Sequence, residues 1–145
     1  MSTTPRMSEE KKVLYTAKTH TVGGREHGVG RSSDGRLDVK LSTPGSGGTG
    51  TNPEQLFAVG WSGCFEESMK IAARKMKIRL PEETALDAEV DLCKTGEDYF
   101  LQARLNVSVP GLDRSVAQEV VDAAEQICTY SKAIRGNVDV TIKLV

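Results

Sequence analysis

Cys64 and Cys128 are the side chains of this sequence best suited to carry chemistry. Cys64 lies in Trp61-Ser62-Gly63-Cys64-Phe65, inside an apolar stretch, and Cys128 begins Cys128-Thr129-Tyr130-Ser131, at the end of an amphipathic one. Two sulfurs delivered by two packed helices can form a reversible disulfide if their Cα atoms approach within ~7 Å. The reaction needs a thiolate, and an ordinary cysteine is only roughly a few per cent ionised at neutral pH. A cation in contact raises that fraction. The candidates are Arg25, Arg31, Arg36, Arg74 and Arg135; Arg25 follows Gly23-Gly24 in a loop, so its reach is not committed to a strand face. A thiolate that attacks a peroxide O–O bond becomes a sulfenic acid, which a second thiol condenses to a disulfide that an external dithiol can reopen. The ordinary alternatives are a buried cysteine acting as a small hydrophobe and a solvated loop arginine. Gly60, Ser62 and Gly63 leave space beside Cys64, which favours the reactive reading. Cys93, off the inward phase of its strand and next to Lys94, reads as a plain surface thiol. Glu67 is one turn from Cys64 and would raise its pKa if it faced the sulfur; Glu66 and Glu67 are expected to face solvent or to pair with Lys70 and Lys75.

The elements that must hold these residues follow from periodicity. Val13 to Thr19 is rich in β-branched and aromatic types and predicts a strand. Gly23-Gly24 makes a turn, Arg25 to Arg31 a hairpin loop, and Asp34-Gly35 a second turn. Leu37, Val39 and Leu41 alternate with polar residues in a half-buried strand. Pro44 to Gly50 is a flexible glycine-rich loop. Asn52 suits an N-cap, Pro53 the first helical position and Glu54 the helix dipole. A helix is predicted from Pro53 to about Lys77, apolar almost all round in its first half and therefore buried there, basic and solvent-facing in its second. Leu86 to Leu92 and Tyr99 to Val109 alternate on either side of a turn at Lys94–Asp98 and predict a long antiparallel hairpin. Asp113 caps a helix to about Ile127, and Val138, Val140, Ile142 and Leu144 face inward from a last strand. The class is α+β. Residues 1–12 are expected to be a flexible leader and 13–145 a single domain.

Composition narrows the partners. The chain has 145 residues and a net charge of −1, from 19 basic and 20 acidic side chains. That balance gives no electrostatic case for nucleic acid or for an anionic membrane. The apolar stretch from Leu56 to Phe65 is too short to span a bilayer. The polar segment from Met1 to Lys12 lacks the apolar core of a secretory signal, so a cytoplasmic location is the default expectation. Three cysteines in such a compartment are not expected to be structural disulfides.

These motifs together resemble one family. Thr51-Asn52-Pro53-Glu54-Gln55-Leu56-Phe57-Ala58 with Gly60-Trp61-Ser62-Gly63-Cys64-Phe65 is similar to the Ohr/OsmC thiol peroxidases. So are Gly23-Gly24-Arg25, Ser33-Asp34-Gly35 with Leu37 to Ser42, and the tail Cys128-Thr129-Tyr130-Ser131 with Arg135 to Val140. The match runs from about Tyr15 to Val145 and leans to the organic hydroperoxide resistance (Ohr) branch. The resemblance implies an intertwined homodimer whose antiparallel sheets wrap two central helices, with both active sites at the dimer interface. It implies reduction of organic (alkyl or fatty-acid) hydroperoxides to alcohols, without a bound cofactor, and recycling by a lipoylated protein or another dithiol. It casts Cys64 as the peroxidatic cysteine, Cys128 as the resolving one, Arg25 as the catalytic arginine and Glu54 as the carboxylate that orients it. Thr129 stands where Ohr proteins usually have proline, and Lys132-Ala133-Ile134 where they commonly have Asn-Ala-Thr, a lean toward OsmC and a broader substrate range.

Glu54 and Cys64 are ten positions apart, which is ~15 Å along a straight helix. One arginine touching both therefore requires a break or bend, expected at Gly60 or Gly63. Two rival readings are weaker. Gly45 to Gly50 fits G-x-G-x-x-G, but no acidic residue follows at the end of a parallel strand and the phosphate-loop lysine is missing. His20 and His27 with three scattered cysteines lack paired metal-ligand spacing. A small hydrophobic-ligand binder without turnover, its pocket lined by Phe57, Trp61 and Phe65, is the remaining alternative.

Overall fold

The longest element begins where its cap is written. In the computed structural model, which describes residues 10–145, the Asn52 side chain accepts a hydrogen bond from the backbone N–H of Gln55 at 2.9 Å. That bond satisfies one of the orphan donors at a helix start. Helix α2 then runs from Pro53 to Lys75. Ahead of it are strand β1 (Thr19–Val22), a single helical turn α1 (Gly24–His27), β2 (Val29–Ser32) and β3 (Asp38–Lys40). Behind it are β4 (Ala85–Thr95), β5 (Asp98–Ser108), α3 (Arg114–Ile127), α4 (Thr129–Ile134) and β6 (Asp139–Leu144). The fold is α+β, with two three-stranded sheets ordered β1-β2-β3 and β4-β5-β6.

The chain forms two compact units, one ending at Thr51 and the other running from Asn52 to Val145. In the first, β1, β2 and β3 pair antiparallel. Gly23 and Gly24 both take positive φ, 85° and 69°, which a residue with a Cβ adopts only at a cost. A Cβ on Gly28 would lie 2.2 Å from the Gly24 carbonyl oxygen, so this turn is closed by glycine at both ends. The segment expected to be one loop from Arg25 to Arg31 is therefore a helical turn followed by a strand. Asp34-Gly35 makes the β2–β3 turn, with the Gly35 N–H on the Ser32 carbonyl at 3.0 Å. The first strand begins at Thr19, not at Val13. Val13, Leu14 and Tyr15 are 69%, 86% and 77% exposed, and strand preference expresses itself only where a neighbour supplies a ladder and a face to bury against. The expected leader lies almost wholly outside the described residues.

In the second unit β4 and β5 form the expected hairpin around Gly96-Glu97, and β6 adds parallel to β5. Leu86, Ala88, Val90, Ala103, Leu105, Val107, Val140 and Ile142 line one face of this sheet and meet the core. Trp61, Phe65 and Met69 of α2 and Val120, Val121 and Ala124 of α3 complete it. On the other face Arg104 grips Asp91 through two bonds, at 2.8 and 2.9 Å, and Glu89 through a third at 2.9 Å. The Arg104 bonds, helped by Gln102, hold the Asp91 carboxyl down to about 2. A register slip of one residue would invert these faces, so apolar and ionic pairings select the same alignment.

Helix α2 departs from expectation twice. Its first half is not buried within this chain: Leu56 is 36% and Val59 73% exposed, and full burial starts at Trp61. Beyond that point the helix is one-sided, since Ala72 and Ala73 are buried beside exposed Lys70, Arg74 and Lys75. The helix is also continuous through Gly60 and Gly63, so of the break or bend expected there the break does not occur.

Candidate active site

One face of α2 carries Phe57, Gly60, Trp61, Cys64 and Phe65, spaced three and four residues apart as a helix requires. Against it lies the junction of α3 and α4. Cys128 closes α3 through an N–H bond to the Ala124 carbonyl, turns extended at φ −60° and ψ 121°, and starts α4 through its own carbonyl, which accepts from the Lys132 N–H at 3.0 Å. No glycine or proline marks this restart, and α4 was not anticipated as a separate helix. The restart turns the Cys128 side chain and the first donors of α4 toward Cys64.

The structure brings the two sulfurs to 3.4 Å, both as thiols, with Cys128 donating to Cys64. A disulfide spans about 2.05 Å, so closure needs about 1.4 Å of further approach. The Thr129 hydroxyl lies 3.3 Å from the Cys64 sulfur. Burial pushes the Cys64 pKa up, but the Thr129 hydroxyl, the Tyr130 N–H, the Cys128 thiol and the Thr129 N–H outweigh it, and the net shift is downward. Cys128 moves the other way. Burial pushes it up, Ser131 only partly offsets this, and the neighbouring Cys64 raises it further. One sulfur is thus prepared to ionise and the other to keep its proton, from the same pair of contacts.

The other candidates sort themselves by their neighbours. Arg31 pairs with Asp38 at 2.9 Å, Arg36 with Asp34 at 3.9 Å and Arg74 with Glu67 at 3.7 Å, and Arg135 donates to the Glu125 carbonyl at 2.7 Å. Arg25 is the half-buried residue of the α1 turn, between exposed Gly24 and Glu26. Glu54 is half-buried in the first turn of α2. Because that helix is unbroken, Glu54 and Cys64 sit ~15 Å apart along it. This weighs against one guanidinium bridging both groups of the same chain. Glu67 is exposed, as expected, and the cation it meets is Arg74, at 3.7 Å. Ser62 turns its hydroxyl onto the Ala58 carbonyl at 2.7 Å, away from the chemistry. Cys93 is half-buried on the polar face of the hairpin, opposite Phe100, and so is less open than a plain surface thiol. Trp61 and Phe65 are fully buried core residues, which leaves only Phe57 of the expected pocket lining half-exposed. Among the described residues no three His, Cys, Asp or Glu side chains gather in a way that could hold a metal ion.

Sequence reasoning missed Thr129 and Tyr130 as donors. Their signal was present, as a hydroxyl and a helix start directly after Cys128, but it needs the restart to have meaning. It also missed why position 60 is glycine. A Cβ there would fall 2.6 Å from the Tyr130 hydroxyl, and the Tyr130 ring meets Phe57 edge-on at 6.0 Å. Gly60→Ala should therefore push the ring away. In a Tyr130→Ala background the same change should instead stabilise the protein by about 0.5–1 kcal/mol, the helix gain of alanine over glycine. Equal effects of Gly60→Ala in both backgrounds, read from denaturant midpoints, would show that the contact carries no energy.

The chain is similar to known proteins over most of its length. The family described as OsmC-like protein matches residues 25–143. An organic hydroperoxide resistance protein of Xanthomonas axonopodis pv. citri is 47% identical over 142 residues, covering 95% of this chain and 99% of that protein. The crystal structure of the organic hydroperoxide resistance protein OhrB of Bacillus subtilis superposes with a TM-score of 0.85 at 41% identity, covering 92% of this chain and 100% of that one. That of an organic hydroperoxide resistance protein from Legionella pneumophila gives 0.85 at 40% identity, covering 92% and 98%.

Proposed function

Since the chain belongs to the OsmC family, among its organic hydroperoxide resistance members, we propose that it is a thiol peroxidase that reduces organic hydroperoxides to alcohols. The observation that carries the reading is the pair of thiols 3.4 Å apart with their ionisation pushed in opposite directions. The Cys64 thiolate attacks the distal oxygen of the peroxide, so sulfur loses two electrons and the O–O bond breaks. The products are a Cys64 sulfenic acid and an alkoxide, which takes a proton and leaves as the alcohol. The Cys128 thiol displaces hydroxide from the sulfenic sulfur; disulfide and water form. An external dithiol, by this reading a lipoyl group, exchanges with the disulfide, restores both thiols and leaves as its own cyclic disulfide. No bound cofactor enters, and the setting proposed is cytoplasmic.

The same reading makes the protein a homodimer. An amphipathic helix normally hides its apolar residues, yet Leu56 and Val59 of α2 are open to solvent here, as are Val13, Leu14 and Tyr15. A second copy covering them gives these residues the burial their sequence predicts. It also relieves the difficulty of the unbroken helix, because Arg25 and Glu54 of one protomer can serve the Cys64 of the other. In that arrangement the guanidinium favours the thiolate and orients the peroxide, and the carboxylate holds the guanidinium.

Steady-state turnover is the test. Cumene or tert-butyl hydroperoxide with dihydrolipoamide should be consumed at least about tenfold faster than hydrogen peroxide, and faster than with glutathione, because an apolar site favours the bulkier substrate. A rate ratio near one would remove the organic-peroxide assignment. No turnover with any dithiol would leave a binder of small apolar ligands as the better account.

A further inference from the structure

Thr129 is not needed where it stands for the sake of the helix. It occupies the first position of α4, where the backbone N–H has no intrahelical acceptor and a proline would serve as well. Its side chain nevertheless points at a reacting atom, with Oγ1 3.3 Å from the Cys64 sulfur. Thr129 is β-branched, so its χ1 has fewer open rotamers than a serine's. A thiolate can only accept, which fixes the direction of the bond once Cys64 has lost its proton.

We propose that Thr129 is a further residue of the thiol site, whose hydroxyl donates to the Cys64 thiolate and so sets the pH range in which that sulfur reacts. The inference rests on Cys64 being the reacting thiol. A proline at this position would offer neither a hydroxyl nor an N–H, so threonine supplies two donors there. Within one chain the other titratable groups turned to this face of α2 are Cys128 and the Tyr130 phenol, from the α3–α4 junction, and in the proposed dimer the second copy adds its Arg25, held by Glu54. On α2 itself Glu67 is paired with Arg74, and the positions of β4 that meet the core are the apolar Leu86, Ala88 and Val90. Removing the Thr129 hydroxyl leaves all of these in place.

The test compares wild type with Thr129→Val, Thr129→Ser and Thr129→Pro as reduced full-length protein. The rate of iodoacetamide alkylation of Cys64, followed on its own peptide by mass spectrometry, is measured from about pH 5 to about pH 10. The Thr129→Val profile should move to higher pH, with the rate near neutrality down about tenfold and the alkaline plateau unchanged. Serine should restore most of the loss, and proline should lose at least as much as valine. A Thr129→Val profile that superimposes on wild type overturns the proposal. If valine prevents folding, Thr129→Ala gives the same comparison. Peroxide turnover measured in parallel separates the two claims. A shifted profile without turnover in wild type removes the peroxidase reading and leaves the Thr129 contact standing; turnover with an unshifted profile removes Thr129 alone.

Discussion

Cys64→Ser should abolish peroxide reduction, with a loss on the order of a thousandfold or more against cumene hydroperoxide and a dithiol. Serine keeps the shape of the side chain and the hydrogen-bond capacity toward Thr129, 3.3 Å away. It removes the one property the reaction needs. A serine hydroxyl is not ionised at neutral pH by the donors that lower the Cys64 pKa, and oxygen has no state equivalent to a sulfenic acid. Folding should be little affected, because Cys64 is half-buried and its partners are polar. Denaturant midpoints of the two proteins should therefore agree to within about 1 kcal/mol while their activities separate completely. The pH profile of wild type carries the sign of the same argument. Activity should rise as Cys64 ionises and fall as the pH drops below its lowered pKa. Full activity in Cys64→Ser would end the assignment of Cys64 as nucleophile.

How far the sequence could be read depended on whether each signal was local. Asn52-Pro53-Glu54 names its own helix start, because a cap is made by residues three apart, and the Asn52 bond to the Gln55 N–H follows directly. The hairpin of β4 and β5 was legible because alternation and the Gly96-Glu97 turn agree on one register. Cys64 and Cys128 were legible as a pair because one lies within a helix signal and the other closes a second, and the structure packs α2 against the junction that carries Cys128. The errors lie where the deciding partner is not written nearby. Val13 to Ala17 has strand composition and no strand partner among the described residues. The apolar first half of α2 asks for burial that one chain does not supply at Val59. The restart at Cys128 comes from a change of backbone direction that no glycine or proline announces. Thr129 could not be recognised as a donor before that restart placed it beside the sulfur.

Cys128→Ser should separate the first half of the reaction from the second. The Cys64 thiolate still has its donors at Thr129 and Tyr130, so the first equivalent of peroxide should be consumed in a burst, with one alcohol released per active site. The sulfenic acid then has no thiol 3.4 Å away to condense with. It should persist long enough to be trapped by dimedone. With excess peroxide it should gain a second oxygen and become a sulfinic acid, which dithiols do not reduce. Steady-state turnover should fall on the order of ten- to a hundredfold, and the remaining activity should decay in proportion to the peroxide added. Wild type should resist the same exposure, because disulfide formation removes the sulfenic acid first. Stability needs its own control here, since Cys128 is fully buried and a serine hydroxyl in its place costs about 1–3 kcal/mol if it finds no partner. The burst guards against that ambiguity, because a misfolded site would not deliver one equivalent of alcohol. Sustained turnover without over-oxidation in Cys128→Ser would mean that the external dithiol attacks the sulfenic acid directly, and Cys128 would then be a packing residue rather than the resolving thiol.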